Sequence, residues 1–218
     1  MIWDWTFAIS IIPDLLRGLW VTVQITLFGF VIAAVVGLVV AVIRRLRVPV
    51  ISRLFDFYVQ FIRGTPLLIQ AYCVFFIAPS YGLRFSATLT GVIVIGLNYS
   101  AYTAEVYRAG IQDVARGQWE ASTALSLPPI TTWSRIVLPQ AVRAVVPVLG
   151  NYLVQMFKDS AVLSAITVFE LLNTAQSIGS SNFRYLEPLT IAGVLYLIVS
   201  FPAAQLFRTL ERRLAPSR

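Results

Sequence analysis

No charged residue falls between Arg17 and Arg44, a run of 26 residues. Three further uncharged runs of 20 residues lie between Arg63 and Arg84, Arg84 and Glu105, and Glu187 and Arg208. A hydrocarbon core about 30 Å thick is crossed by roughly 20 helical residues. Backbone N–H and C=O groups have no water partner in lipid, so each run must close its own hydrogen bonds as a helix. The runs predict spans near Leu19–Ile43, Phe57–Ile77, Ser86–Tyr107 and Leu189–Phe207. Composition agrees. The chain is 58% hydrophobic and only 12% charged, against about 25% charged in soluble domains. The same figures exclude a disordered chain, which needs low hydrophobicity and high charge.

A fifth apolar region is shorter. Arg143 and Lys158 enclose 14 uncharged residues, about 21 Å of helix. A second apolar run, 161–169, follows at once. Two arrangements fit: a tilted helix that starts near Pro139, or an interrupted helix with Lys158 and Asp159 held inside protein. Interrupted helices mark substrate sites in several transporter folds.

Basic residues orient the spans. Of the 17 Lys and Arg residues, twelve fall on one side: Arg44, Arg45, Arg47 and Arg53, then Arg108, Arg116, Arg135 and Arg143, then Arg208, Arg212, Arg213 and Arg218. Arg17, Arg84, Lys158 and Arg184 fall on the other side, and Arg63 is ambiguous. The positive-inside rule then places the amino terminus outside and the carboxyl terminus in the cytoplasm. Five spans with an outside start satisfy that count. The net charge of +7 therefore reads as topology and contact with anionic lipid. Nucleic acid is not expected, because the Arg residues are split among three loops. The start lacks a basic region ahead of its first apolar residues and does not read as a signal peptide. Trp3, Trp5, Phe7 and Trp20 suit a membrane interface. No linker, low-complexity segment or internal repeat divides residues 1–218, which read as a single membrane domain.

Catalysis by this chain has little to work with. It contains no His and one Cys, Cys73. That removes His general bases, His metal ligands and intrachain disulfides. The carboxylates are too scattered for a metal cage. No phosphate-binding G-x-x-x-x-G-K-[ST] loop occurs, and Lys158 is the only Lys, so the chain is not a nucleotide hydrolase by that route. No cofactor is expected on it.

The longest polar connection, Ala109–Arg135, lies on the expected cytoplasmic side. Gly117 can cap a short helix with Glu120 in its first turn, where an acid complements the helix dipole. Pro128 and Pro129 end that helix, and an amphipathic piece, Ile130–Val137, climbs to Pro139. By pattern alone this is equally a solvated loop with a well-capped helix.

Glu120-Ala121-Ser122, three residues, Ser126, nine residues and Ile136-x-Leu138-Pro139 together resemble the EAA loop of bacterial ABC importer permeases. Ser122 and Ser126 depart from the usual Ala and Gly, and the second departure bears on the turn geometry. Leu125 lies inside the motif. Arg63-Gly64-Thr65-Pro66-Leu67-Leu68, Gly117-Gln118-Trp119-Glu120, Leu138-Pro139-Gln140-Ala141 and Lys158-Asp159-Ser160 are similar to the polar amino-acid branch. The resemblance implies five spans, an outside amino terminus and a coupling loop over about 109–139, between spans 3 and 4. It implies a bacterial inner-membrane location. Implied partners are an ABC ATPase dimer that uses ATP and Mg, a second permease subunit and an extracytoplasmic solute-binding protein.

Three polar groupings are candidates for the substrate pathway. Asn98, Tyr102 and Glu105 share one helical face, although Glu105 can instead pair with Arg108. Asp159 can face a cationic group, and Lys158 or a helix end near Ser160 can face a carboxylate. Both charges can equally be structural. Arg63 and Thr65, at the Gly-Thr-Pro break, and Gln70 have the same two readings, with Arg63 free to snorkel to the surface. Met1-Ile2-Trp3-Asp4-Trp5, Tyr99–Arg108, Ala124–Pro129 and Ser164–Thr167 are similar to ectoine/hydroxyectoine permeases. That resemblance implies a cyclic zwitterionic substrate. A polar amino acid such as arginine, glutamine or histidine is the alternative. A self-sufficient carrier would need internal repeats or charged paths through several spans, neither of which is present.

Overall fold

The computed structural model describes residues 3–46 and 48–214. Met1, Ile2, Arg47 and Arg218, used above, lie outside the described residues. Every regular element among the described residues is helical.

The Asp4 carboxylate caps α1 (Trp5–Ser10) by accepting from the Thr6 and Phe7 N–H groups at 2.9 and 3.1 Å. The Phe7 and Thr6 bonds, with the neighbouring Arg184 guanidinium, hold this carboxyl below its ordinary range. α2 follows over Ile12–Arg45, 34 residues or about 51 Å. It begins seven residues before the predicted span, because Pro13 in its first turn needs no N–H partner there.

The second predicted span is not straight. α3 (Pro49–Gly64) and α4 (Leu67–Tyr72), the latter continued by further helical turns to Tyr81, meet at 106°. Thr65 and Pro66 are both extended at the corner. Proline disfavours helical backbone in the residue before it, which is why one apolar run makes two helices. The Gln70 side-chain amide donates to the Ile62 and Thr65 carbonyls, at 2.9 and 3.2 Å, and to Thr65 Oγ1 at 2.8 Å. That covers acceptors which the break leaves open.

α5 (Ala87–Gln112) packs along α2, the most extensive helix pairing in the chain. The seam is built from small residues. Gly29, Ala33, Gly37 and Ala41 recur every fourth position on α2, opposite Gly96, Ser100 and Ala104 on α5. Such rows let backbones approach closely where lipid supplies no hydrophobic drive. Thr103 Oγ1 donates to the Ala33 carbonyl at 2.6 Å, and the Tyr107 hydroxyl to that of Ala34 at 3.2 Å. The polar residues of α5 thus turn inward. They also keep α5 from being apolar enough, by composition, to count as a crossing helix. α2, the continuous segment Pro129–Ile166 and α10 (Leu186–Leu214) qualify, and the bent α3–α4 pair makes up to four.

The fifth apolar region resolves toward continuity. A short helix, α6 (Arg116–Ala124), precedes one helical turn, α7 (Pro129–Thr131). A π-helical turn, Thr132–Val137, then runs straight into α8 (Leu138–Asp159). No break falls inside α8 even at Pro147. The irregularity comes after Asp159, where Ser160–Ile166 is 3-10 helix and Thr167 is left-handed at φ 61°. α9 (Leu171–Asn182) is capped by Glu170, which is fully buried and accepts from Leu172 N, Asn173 N and the Tyr196 hydroxyl. α10 lies outermost. Large apolar side chains such as Phe28, Val31, Leu197 and Phe201 remain exposed, as lipid rather than water would require.

Candidate functional site

Two regions carry the predicted residues. The first is the connection from α6 to α8. Gly117 does not cap α6; it is the second helical residue, and Ala115 precedes the helix without a side-chain cap. Glu120 is therefore the fifth residue and not in the first turn. Its carboxylate accepts from Arg116 at 2.8 Å, with both side chains largely exposed. Pairs of that kind contribute little to stability.

Nor do the prolines end α6. The helix closes at Leu125, with Ser126 left-handed at φ 51°. Leu127 N donates to Ser122 O at 3.0 Å, and Ser126 N to Thr123 O at 2.9 Å. That is the paired-bond C-terminal motif whose left-handed position glycine normally fills. The turn keeps its geometry with serine and bears the steric cost of a side chain. Ser126→Gly is expected to stabilise the chain by about 0.5–1 kcal/mol, read as a higher thermal midpoint in detergent. An unchanged midpoint would mean that the serine is unstrained.

Ser122 is buried, and Ala121 and Leu125 are exposed. Ile136 falls within the π turn, with Leu138 and Pro139 opening α8. Trp119 and Trp133 meet edge to face at 5.4 Å and join α6 to the foot of α8. Sequence reasoning named Trp119 only as part of the Gly117–Glu120 match and did not single out Trp133, which lies inside the motif; two Trp residues so placed were the available signal.

The second region lies where α3, α4, α5 and α8 converge. The rings of Tyr99, Tyr102 and Tyr152 are in mutual contact, with centroids 5.7–6.0 Å apart. The Arg63 guanidinium lies 5.4 Å from the Tyr102 ring. Asp159 accepts from the Tyr99 hydroxyl at 2.5 Å and from Gln155 Nε2 at 2.9 Å. Asn98 Nδ2 donates to Gln70 Oε1 at 3.1 Å, tying α5 to the α3–α4 corner beside Thr65. A cation and an anion thus flank one cluster of three phenols.

Three predicted residues stand elsewhere. Lys158 is exposed and forms no ion pair among the described residues, so it does not pair with Asp159. Ser160 is buried, its hydroxyl donating to Phe157 O at 2.8 Å. Glu105 accepts from Arg108 and also from Arg44 at 2.5 Å, while Arg44 reaches Asp56 at 2.6 Å. This network clamps α2, α3 and α5 at one end. Another ion cluster, invisible in local sequence, joins Arg184, Asp4 and the buried Glu187 and pins the amino-terminal segment to α10.

Residues 10–216 match the family described as binding-protein-dependent transport system inner membrane component. The chain belongs to that family. As an inner membrane component of this kind it is 46% identical, over 205 residues, to a probable amino-acid ABC transporter permease of Sinorhizobium fredii, covering 94% of this chain and 89% of the relative. It is 34% identical to an L-cystine transport system permease of Bacillus subtilis, covering 93% and 87%. It is 32% identical to a glutamine transport system permease, called putative, of Rickettsia typhi, covering 95% and 97%. A crystal structure of an amino acid ABC transporter with histidines superposes with a TM-score of 0.93 at 32% identity, covering 98% of this chain and all of that one. An inward-facing structure of the MetNI methionine ABC transporter superposes with a TM-score of 0.78 at 19% identity, covering 95% and 99%, and shares the fold.

Proposed function

We propose that this chain is the permease subunit of an ATP-driven, binding-protein-dependent importer of a polar or charged amino acid. The observation that carries the reading is the phenol cluster flanked by Arg63 and Asp159. A free amino acid brings a carboxylate and an ammonium. Arg63 matches the first and Asp159 the second, or a side-chain cation. Tyr102, Asn98, Gln70 and Thr65 complete the wall. Lys158 is held outside this cluster, and Glu105 acts as a clamp. The relatives reported above are named for amino acids, cystine and glutamine, which supports the polar amino-acid reading over ectoine.

In this reading five helical passages cross the membrane: α2, the bent α3–α4 pair, α5, α8 and α10. The amino terminus is outside and α6 is cytoplasmic. In a Cys73→Ala background, a Cys placed at Ser217, which lies outside the described residues, is expected to react only from the cytoplasmic side. Labelling only from outside would overturn the orientation. Gly117–Pro139 forms the docking segment for an ATPase dimer, which binds and hydrolyses MgATP. A second permease subunit, identical or paralogous, completes the pore, and an extracytoplasmic binding protein delivers substrate. Because the Glu120–Arg116 pair is exposed, Glu120→Arg should leave the fold intact. It is expected to reduce uptake at least tenfold while the chain still accumulates. Normal uptake by that variant would remove Glu120 from the docking role.

The deciding experiment is uptake by cells with and without this chain, using labelled arginine, glutamine, histidine, cystine and ectoine, with unlabelled ectoine as competitor. Chain-dependent uptake of an amino acid that ectoine does not displace supports the proposal. Chain-dependent uptake of ectoine alone would restore the osmolyte reading.

A further inference from the structure

A cavity of about 690 Å³ opens between α2 and α8, with α5 as its floor. Its walls are almost wholly aliphatic, with Leu38 and Val42 on one side and Val142 and Val146 on the other. Leu38, Val42 and Val142 are each about half exposed, so the cavity is a groove open along its length and not a closed void. The Tyr107 hydroxyl on the floor is spent on the Ala34 carbonyl and adds no polar demand. At one end stand Arg45, in the last turn of α2, and Trp133. The Arg45 guanidinium lies 4.6 Å from the Trp133 ring and 5.8 Å from that of Trp119. No acidic residue lines the groove, and Arg45 forms no ion pair among the described residues. Its neighbour Arg44 is fully engaged with Glu105 and Asp56.

An apolar slot that ends in an unneutralised, ring-braced cation matches one kind of occupant in a membrane. We propose that the groove binds an anionic glycerophospholipid, with one acyl chain along α2 and α8 and the phosphate on Arg45. Trp is enriched at the depth where headgroups meet acyl chains, and Trp133 sits at the same end as Arg45. The indole faces hold the guanidinium in place electrostatically, so it presents a directed donor fork to phosphate oxygens. The site joins the α2–α5 unit to the segment that carries α6. A lipid there bridges the membrane domain and its coupling helix.

The test uses the full chain purified from membranes, with Trp3, Trp5, Trp20 and Trp119 each replaced by Phe so that Trp133 reports alone. It is reconstituted with phosphatidylcholine carrying increasing amounts of brominated phosphatidylglycerol or brominated phosphatidylcholine. Brominated phosphatidylglycerol is expected to quench Trp133 with about fivefold higher apparent affinity, the preference one interfacial cation supplies. Arg45→Gln should abolish the preference and Arg45→Lys should retain most of it, both in monodisperse protein. Val142→Phe, which fills the groove from an exposed position, should lower quenching by both lipids. Equal quenching of the unmodified groove by the two lipids would overturn the proposal. So would the absence of quenching by either, which would mean that another chain or a second copy covers the groove. None of these readouts depends on transport, so the proposal stands or falls separately from the substrate reading.

Discussion

Gly37→Leu is expected to reduce membrane accumulation of the chain at least tenfold. A Cβ at this position would come 2.0 Å from Thr103 Oγ1, 2.8 Å from the Ser100 carbonyl and 3.0 Å from Ala104 N. Two of those three atoms belong to the α5 backbone, which cannot swing aside as a flexible side chain can. Relief requires α2 and α5 to separate. Separation gives up the Thr103–Ala33 and Tyr107–Ala34 hydrogen bonds together with the most extensive helix packing among the described residues. Overpacking costs about 1–3 kcal/mol where some relaxation is available, and here little is. Gly193→Leu is the matched control, because a Cβ there meets nothing within 4 Å. It should accumulate normally. Equal accumulation of the two variants would show that the α2–α5 seam is looser than its geometry.

Asp159→Asn should do the opposite, sparing assembly and damaging transport. The asparagine carbonyl can still accept from Tyr99, and Gln155 can turn its amide to accept from the new N–H₂ group. What is lost is the negative charge beside the three phenols. Hydrogen bonds to charged groups contribute about 1.5–3 kcal/mol, so uptake of a cationic or zwitterionic amino acid should fall roughly tenfold to a hundredfold. Unchanged uptake kinetics at normal accumulation would make Asp159 a structural partner of Tyr99 and nothing more.

The apolar runs were legible in the sequence because lipid imposes one local demand on every residue of a run. The bend between α3 and α4 was partly legible: Pro66 was visible, but the rescue of the corner by Gln70 depends on a side chain folding back eight residues. The pairing of α2 with α5 left a trace in the small residues at 29, 33, 37 and 41. Nothing local said which helix they would meet. Asp159 and Tyr99 are 60 residues apart, and Arg184 and Asp4 are 180 apart, so neither link has a sequence period to betray it. The ends of α6 were misread for a different reason. Proline is a strong stop signal, yet Ser126 had already ended the helix by a backbone conformation that serine seldom adopts.

The π turn at Thr132–Val137 has a consequence for angular phase. An α-helix advances about 100° per residue, and a π turn accommodates a residue beyond that count. Side chains before and after it are therefore out of step by about one residue's rotation. Val137, Ala141 and Val145 keep a common buried face on the α8 side, and Trp133, one turn earlier, packs against the same cluster while also reaching Trp119 and Arg45. Deleting a single residue here would not remove an element. It would convert the π turn to α and rotate α6 about the α8 axis like a key in its lock. A relative one residue shorter at this point would present a different face of α6 while α8 stayed in place.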